Sequence, residues 1–103
     1  MPKAKEFAKR IDGLAHIHRL RIISVLRQNS GKDMYLSEIA KKTHLSRGLC
    51  KIHMKKLEDS GFVTSKIRLA GRDSARALRY YSLKDFKILL SPDGIVKEVT
   101  RRG

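Results

Sequence analysis

The feature that most constrains this chain is the stretch from Leu36 to Val63, which reads LSEIAKKTHLSRGLCKIHMKKLEDSGFV. A serine hydroxyl can cap a helix by accepting a hydrogen bond from the free N–H groups of the first turn, and the stretch offers Ser37 and Ser46 for this role. Glycine readily adopts the left-handed conformation in which many helices end, and Gly61 is placed to end the second helix. We therefore predict two short helices, one after each serine, that meet at a tight turn.

The second of these helices has two different faces. Cys50, Met54 and Leu57 recur at spacings of four and three, which places them on one stripe toward the core, and Leu45, just before the cap, is predicted to extend this stripe. The opposite face carries Gly48, Lys51, Ile52 and Lys55. Between residues 41 and 56 the sequence holds six lysines and arginines and no acid, so an anion is the natural partner of this face.

Two capped helices at a tight turn are the pattern of a helix-turn-helix, whose second helix enters the DNA major groove and reads bases near its N-terminus. We predict this motif over residues 36–61, with the following DNA-binding residues on its second helix: Ser46, Arg47, Gly48, Lys51, Ile52 and Lys55. The basic side chains would approach the groove, Gly48 would let the backbone come close, and Ile52 would touch a thymine methyl group. The alternative is a solvated cationic helix of another small helical domain, because a run of charge alone is a weak signal.

A basic hairpin, or wing, is predicted after this motif, over residues 62–83. Two stretches within it alternate as strands do, and the polar loop between them contains glycine, as expected of a hairpin tip. We predict that Arg68, Arg72 and Arg76 hold DNA phosphates or enter the minor groove. A solvated hairpin without a ligand would have the same pattern. Residues 34–36 are predicted to form a short strand or extended lead-in that pairs with the hairpin.

The composition agrees with a nucleic-acid partner. The 103 residues contain 24 lysines and arginines against 10 acids, which gives a net charge of +14 and a pI near 10.4, and such an excess suits a polyphosphate. A membrane partner is not expected, because the basic residues are interleaved with core positions and tryptophan is missing. The length of 103 residues predicts a single domain, residues 1–103. No run reaches transmembrane length and the N-terminus has no apolar signal segment, so we expect the protein in the cytoplasm and associated with the nucleoid.

Short amphipathic helices are predicted near both ends of the chain, over residues 3–11 and 92–101. We expect Asp12-Gly13 to break the first, and the proline after Ser91 suits the first position of the second. Helices this short are not stable alone. We predict that both contribute to a homodimer interface through the following apolar residues: Phe7, Ile11, Ile95 and Val99.

Residues 14–28, LAHIHRLRIISVLRQ, have apolar side chains over a broad face, which is typical of a helix near the centre of a core. Followed by LSEIAKKTHLS and the exit LEDSGFV, this sequence resembles the winged-helix repressors related to the arsenical-resistance repressor (ArsR) family and their archaeal relatives. The resemblance implies a mainly α (α+β) winged helix-turn-helix fold with an N-terminal helix, a three-helix core, a two- or three-stranded wing and a short C-terminal helix. It also implies a dimeric transcriptional repressor that binds double-stranded DNA.

The sequence departs from this family at two places. Members that sense metals carry a cysteine pair in the first helix of the helix-turn-helix, where this chain has LSEI, so we expect no metal site and no cofactor. The turn has His44 where glycine is usual, and histidine adopts positive φ more readily than most residues.

The cysteine and the other histidines are predicted to be structural. Cys50 and His53 could share an ion but lack an evident third ligand, and Cys50, which could also be a redox switch, is better interpreted as a small core residue. His53 is expected to pack under the helix or to donate to a DNA phosphate. His16 and His18 should diverge on a helix and lie at the surface.

Catalysis has little support, because the ten acids are scattered and the sequence has no Ser-His-Asp spacing, HExxH motif or glycine-rich phosphate loop. We therefore expect no enzyme. Two other binding functions stay open. An architectural chromatin protein would use the same basic face with little sequence preference, and an RNA- or ribosome-associated winged helix would fit the high charge but usually has exposed aromatics for stacking.

Overall fold

The structure is a computed structural model and describes residues 2–29, 33–69 and 77–100. In this part of the chain the elements follow one another as α1 (Pro2–Leu14), α2 (Ile17–Gln28), β1 (Met34–Tyr35), α3 (Leu36–Thr43), α4 (Arg47–Asp59), β2 (Val63–Leu69), β3 (Ala77–Leu83) and α5 (Pro92–Thr100). The predicted winged helix-turn-helix fold is confirmed, with α2, α3 and α4 as its three-helix core and β2 and β3 as its wing.

The core lies where α2, α3 and α4 meet the sheet. Its fully buried side chains come from all of these elements and include Ile22, Ile39, Cys50, Met54, Leu57, Phe62 and Val63. Burial of these apolar surfaces is the main force that holds three short helices together, because none of them is long enough to be stable alone. Cys50, Met54 and Leu57 of the predicted stripe are buried on α4, whereas Leu45 lies before the helix and is half-buried against the core. Ala40 is buried where α3 approaches α4.

The turn of the helix-turn-helix is built largely as its sequence predicts. Ser46 accepts a hydrogen bond from the backbone N–H of Leu49 at 3.1 Å and so caps α4. His44 adopts φ 59°, and Gly61, after the end of α4, adopts φ 86°, which confirms both as left-handed residues. The cap predicted at Ser37 is wrong.

The start of α3 lies earlier than predicted because a carboxylate provides the stabilising contact. The helix begins at Leu36, and the side chain of Glu38 accepts a hydrogen bond from the backbone N–H of Tyr35 at 3.1 Å. Ser37 therefore lies inside the first turn of α3.

The three strands form an antiparallel sheet in the order β1, β3, β2. Met34 pairs with Tyr81, which confirms the short lead-in strand, and Val63 pairs with Leu83 along the hairpin. Tyr81 is buried, whereas Tyr80 on the other face is half-buried, as alternation along a strand requires. Residues 70–76, which include the predicted tip, lie outside the described residues.

The first two helices differ from their predicted bounds. The helix predicted to end before Asp12-Gly13 continues to Leu14. Gly13 lies inside it because the neighbouring side chains leave no room for a larger residue. A Cβ at Gly13 would collide with the Ser60 side chain and lie 3.3 Å from the ring of Phe62. The next helix begins at Ile17 and not at Leu14, and His16 is its N-cap.

The C-terminal helix α5 packs against α1. Its predicted start is confirmed, because the hydroxyl of Ser91 accepts a hydrogen bond from the backbone N–H of Gly94 at 2.9 Å. Residues 84–90 contain neither helix nor strand. Among the residues described, no helix has the length and apolar character needed to span a bilayer.

Candidate nucleic-acid interface

The face of α4 that points away from the core is exposed along its whole length. Ile52 has 65% of its surface accessible to solvent, and the other predicted members of this face are exposed with it: Arg47, Gly48, Lys51 and Lys55. On the opposite side Cys50, Met54 and Leu57 have no exposed surface. The core therefore fixes the rotation of α4 and leaves cationic and apolar side chains facing solvent together.

Leu49 belongs to this exposed face as well, although it was not among the predicted DNA-binding residues. It has 39% of its surface accessible to solvent, next to the cap at Ser46. The sequence could have indicated its exposure, because Leu49 lies one residue before Cys50 and therefore outside the apolar stripe of the helix. Together with Ile52 it gives the basic face two apolar side chains of the kind that can contact thymine methyl groups.

Two lysines in the C-terminal half of α4 form ion pairs. Lys55 lies 3.7 Å from the carboxylate of Asp59, one turn further on. Lys56 lies 2.6 Å from the carboxylate of Asp12 and so joins α4 to α1. The hydrogen bond and charge of Lys56 hold the pKa of Asp12 below its usual range. Arg47 and Lys51, nearer the N-terminus, form no ion pair with a described residue.

Arg68 lies on β2 and is held by its neighbours. Its guanidinium donates to Asp33 at 3.1 Å and lies 4.2 Å from the centre of the Tyr80 ring. The same carboxylate accepts a hydrogen bond from Ser82 at 2.6 Å. Arg68 is half exposed but already has two partners; Arg72 and Arg76, the other predicted wing residues, lie outside the described residues.

A second polar chain joins the hairpin to the C-terminal part of α4. Ser65 donates to the carboxylate of Glu58 at 2.6 Å, and Arg79 donates to the hydroxyl of Ser65 at 2.9 Å. The Ser65–Glu58 bond joins β2 to α4, and Arg79 of β3 joins this chain through Ser65, so the wing is tied to the C-terminal part of α4.

A cleft of about 390 Å³ lies between the starts of α3 and α4 and the hairpin. Arg47, Lys51 and Arg79 line it, together with Ser37 and Tyr81. Arg79 was not among the predicted binding residues, although alternation along the strand places it on the same face as Tyr81. The cleft therefore brings three cations from two elements to one concave surface, which is a suitable geometry for a phosphate group.

The underside of α4 contains the residues that could have carried other chemistry. Cys50 is buried, and burial raises the pKa of its thiol to about 11, which keeps the thiol protonated and unreactive near neutral pH. His53 is buried with 6% exposure and packs under α4, one of its two predicted positions. No group of three histidine, cysteine or acidic side chains in the described ranges is placed to hold a metal.

The prediction that His16 and His18 diverge is wrong. His16 precedes α2 and does not share its helical geometry, and its ring centre lies 5.0 Å from that of His18. Both rings also approach His53. Sequence spacing alone treats both residues as helical and therefore misses this cluster.

The residues predicted at a dimer interface lie on α1 and α5. Phe7 is buried within its own chain, with 6% exposure, and Ile11 and Val99 are half-buried. Ile95 is 43% exposed and its neighbour Val96 is 56% exposed. The apolar surface that this pair of helices leaves in solvent is therefore on α5.

Known proteins are similar to this chain in sequence and in fold. The family model of winged helix-turn-helix DNA-binding proteins matches residues 16–64. An uncharacterized HTH-type transcriptional regulator of Methanocaldococcus jannaschii is 34% identical over 95 residues, which cover 92% of this chain and 94% of that protein.

A solved structure gives the same fold at lower sequence similarity. The homodimeric winged helix-turn-helix DNA-binding domain of a possible ArsR-family transcriptional regulator from Mycobacterium bovis matches 77% of this chain with a TM-score of 0.62 and 22% identity. The match spans 64% of the length of that solved chain. With this fold, the family match and the extended similarity to the Methanocaldococcus protein, the chain belongs to the winged helix-turn-helix DNA-binding family of transcriptional regulators.

Proposed function

We propose that the protein is a transcriptional regulator that binds duplex DNA in a sequence-specific manner, as a homodimeric repressor in the cytoplasm. The observation that carries the proposal is the two-sided construction of α4, whose buried side fixes the helix while Arg47, Lys51 and Ile52 stay exposed on the other. A helix of this kind fits the major groove, where such side chains can contact guanine, phosphate and the thymine methyl group.

The division of work between residues follows from their surroundings. Ser46, Arg47 and Gly48 form the N-terminal end of α4, which enters a groove first in this kind of docking. Lys51 and Arg79 line the cleft with Arg47 and are suited to a backbone phosphate beside the groove. The wing arginines, Arg68 with Arg72 and Arg76, would hold flanking phosphates or enter the minor groove.

A homodimer is supported by the Mycobacterium bovis relative, which is homodimeric, and by the exposed Ile95 and Val96 on α5. Two recognition helices related by a two-fold axis would read half-sites about 34 Å apart, or a multiple of that distance. Such a protein acts by occupying a promoter, and we propose no catalytic activity, metal or cofactor for it.

Selection of bound duplexes from a random-sequence pool tests this function. The expected result is an enriched palindrome whose half-sites are one helical turn, or a multiple of one turn, apart. Tight but sequence-independent binding with a steep salt dependence would contradict specific regulation and support an architectural role. Stronger competition by a structured RNA than by duplex DNA would contradict a DNA partner altogether.

A further inference from the structure

Three histidine rings meet where the start of α2 packs under the recognition helix α4. The ring centre of His16 lies 4.5 Å from that of His53, and His18 lies 5.0 Å from His16 and 5.4 Å from His53. We call these three residues the histidine junction. Because His53 is a buried residue of α4, the junction is part of the contact that sets the position of the DNA-facing helix.

Hydrogen bonds position two of these rings. The Nδ1 atom of His16 accepts from the backbone N–H of His18 at 3.1 Å and so caps α2. The Nδ1 atom of His53 lies 3.0 Å from a guanidinium nitrogen of Arg19. A guanidinium can only donate, so this Nδ1 must be the acceptor. Protonation of His53 at Nδ1 would therefore place a donor against a donor.

Arg19 cannot easily move away from a protonated ring. Its guanidinium also donates to the backbone carbonyl oxygens of Gly13 at 2.7 Å and Asp12 at 3.2 Å, at the end of α1. The carboxylate of Asp12 is directed to Lys56 of α4, so this acid is already paired. The Nδ1 atom of His18 is buried and has no hydrogen-bond partner.

The charges around His53 all disfavour a further proton. The groups whose charge acts on it are His16, Arg19 and His18, which come from α2 and the residue before it. Burial first, and then these three groups, lower the pKa of His53 from its usual 6.5. The unfolded chain therefore takes up this proton first as the pH falls, so the stability from this contact is present above about pH 6.5 and is lost below it.

We propose that the histidine junction is a proton-sensitive contact that keeps α4 seated against α1 and α2, so that DNA binding weakens as the pH falls from about 7.5 to about 5.5. The proposal rests on the proposed function for its DNA readout. Its direction is diagnostic, because added positive charge by itself strengthens binding to DNA phosphates. The Asp12–Lys56 pair stays constant over this range, since the pKa of Asp12 lies below its usual 3.8.

Asparagine substitutions provide the test. In His53→Asn the side-chain oxygen can replace Nδ1 as the acceptor for Arg19, and asparagine does not titrate. His44→Asn is the matched control, because His44 is an exposed histidine outside the junction and asparagine also tolerates positive φ.

At constant ionic strength, wild type and His44→Asn are expected to lose about fivefold or more in affinity for the selected duplex between pH 7.5 and 5.5. His53→Asn is expected to change by less than about twofold. An affinity of wild type that is constant or rises with acid would overturn the proposal. It would also be overturned by a His53→Asn protein that keeps the pH dependence of wild type.

Urea unfolding at the same two pH values tests the junction without DNA. Wild type is expected to lose more stability in acid than His53→Asn, and equal losses would overturn the proposal. If the protein bound no duplex at either pH, the proposed function would fail, while this comparison would still decide the role of the histidines.

Discussion

Two helical glycines show how differently the same residue type can be used in this fold. A Cβ at Gly48 would meet no atom within 4 Å, whereas one at Gly13 would collide with the Ser60 side chain. Gly48 is thus open to solvent on the side of α4 that we propose faces DNA, and Gly13 lies where α1 packs closely against Ser60 and Phe62. The first glycine suits contact with a partner, and the second suits packing.

Alanine at each position should therefore have opposite effects on stability. Gly48→Ala should stabilise the free protein by about 0.5 kcal/mol, because alanine is the better helix former, and it should weaken DNA binding if the backbone approaches the groove. Gly13→Ala should destabilise the protein by about 1–3 kcal/mol through overpacking. Urea unfolding measures both, and a Gly48→Ala protein with unchanged DNA affinity would contradict the close approach.

Most residue-scale predictions from sequence succeeded where the cause is local, although the cap at Ser37 did not, because Glu38 provides the contact instead. Ser46, His44 and Gly61 were predicted because a cap and a left-handed residue depend on the few residues around them. The prediction that Gly13 breaks a helix was wrong, because the role of Gly13 depends on its contact with Ser60, which is distant in sequence. The contact between His16 and His53 was missed for the same reason.

At the scale of elements, the wing is held to the body of the fold by carboxylates on both sides. Asp33 binds Arg68 and Ser82, and Glu58 binds Ser65, which in turn accepts from Arg79. Alternation predicted two strands within residues 62–83, and the structure has them at Val63–Leu69 and Ala77–Leu83. It could not predict these contacts, because Asp33 is 35 residues from Arg68 and 49 from Ser82.

These contacts predict a ranking of the basic residues. Arg68→Ala should weaken DNA binding less than Lys51→Ala, because Arg68 must give up its contacts with Asp33 and Tyr80 before it can bind a phosphate. Fluorescence anisotropy with the selected duplex at physiological salt measures both affinities. A larger loss for Arg68→Ala would mean that the wing, and not α4, supplies the stronger contact.

At the scale of the whole molecule, the chain is elongated. Its radius of gyration is 15.8 Å and its extents are 52 × 28 × 23 Å, whereas a compact domain of 100 residues has a radius of gyration of about 13 Å. The extended shape leaves apolar side chains of α5 in solvent, notably Ile95 and Val96. An exposed pair of this kind is suited to contact with a second copy of the chain.

The dimer can be tested by placing a charge at this surface. Ile95→Glu should convert the dimer to a folded monomer, because a buried unpaired carboxylate is costly in an apolar interface. Leu69→Glu is the matched control, since Leu69 is also an exposed apolar residue but lies on β2. Light scattering gives the molar mass of each, and a dimeric Ile95→Glu protein would contradict this interface.

The central claim is that the exposed face of α4 contacts DNA, and the affinity of Lys51→Ala for the selected duplex tests it most directly. Lys87→Ala is the control, because Lys87 is an exposed lysine outside α4 and the hairpin. Loss of a base-edge or phosphate contact predicts a roughly tenfold weaker affinity for Lys51→Ala, with Lys87→Ala close to wild type. Equal affinities of both variants and wild type at physiological salt would contradict the claim.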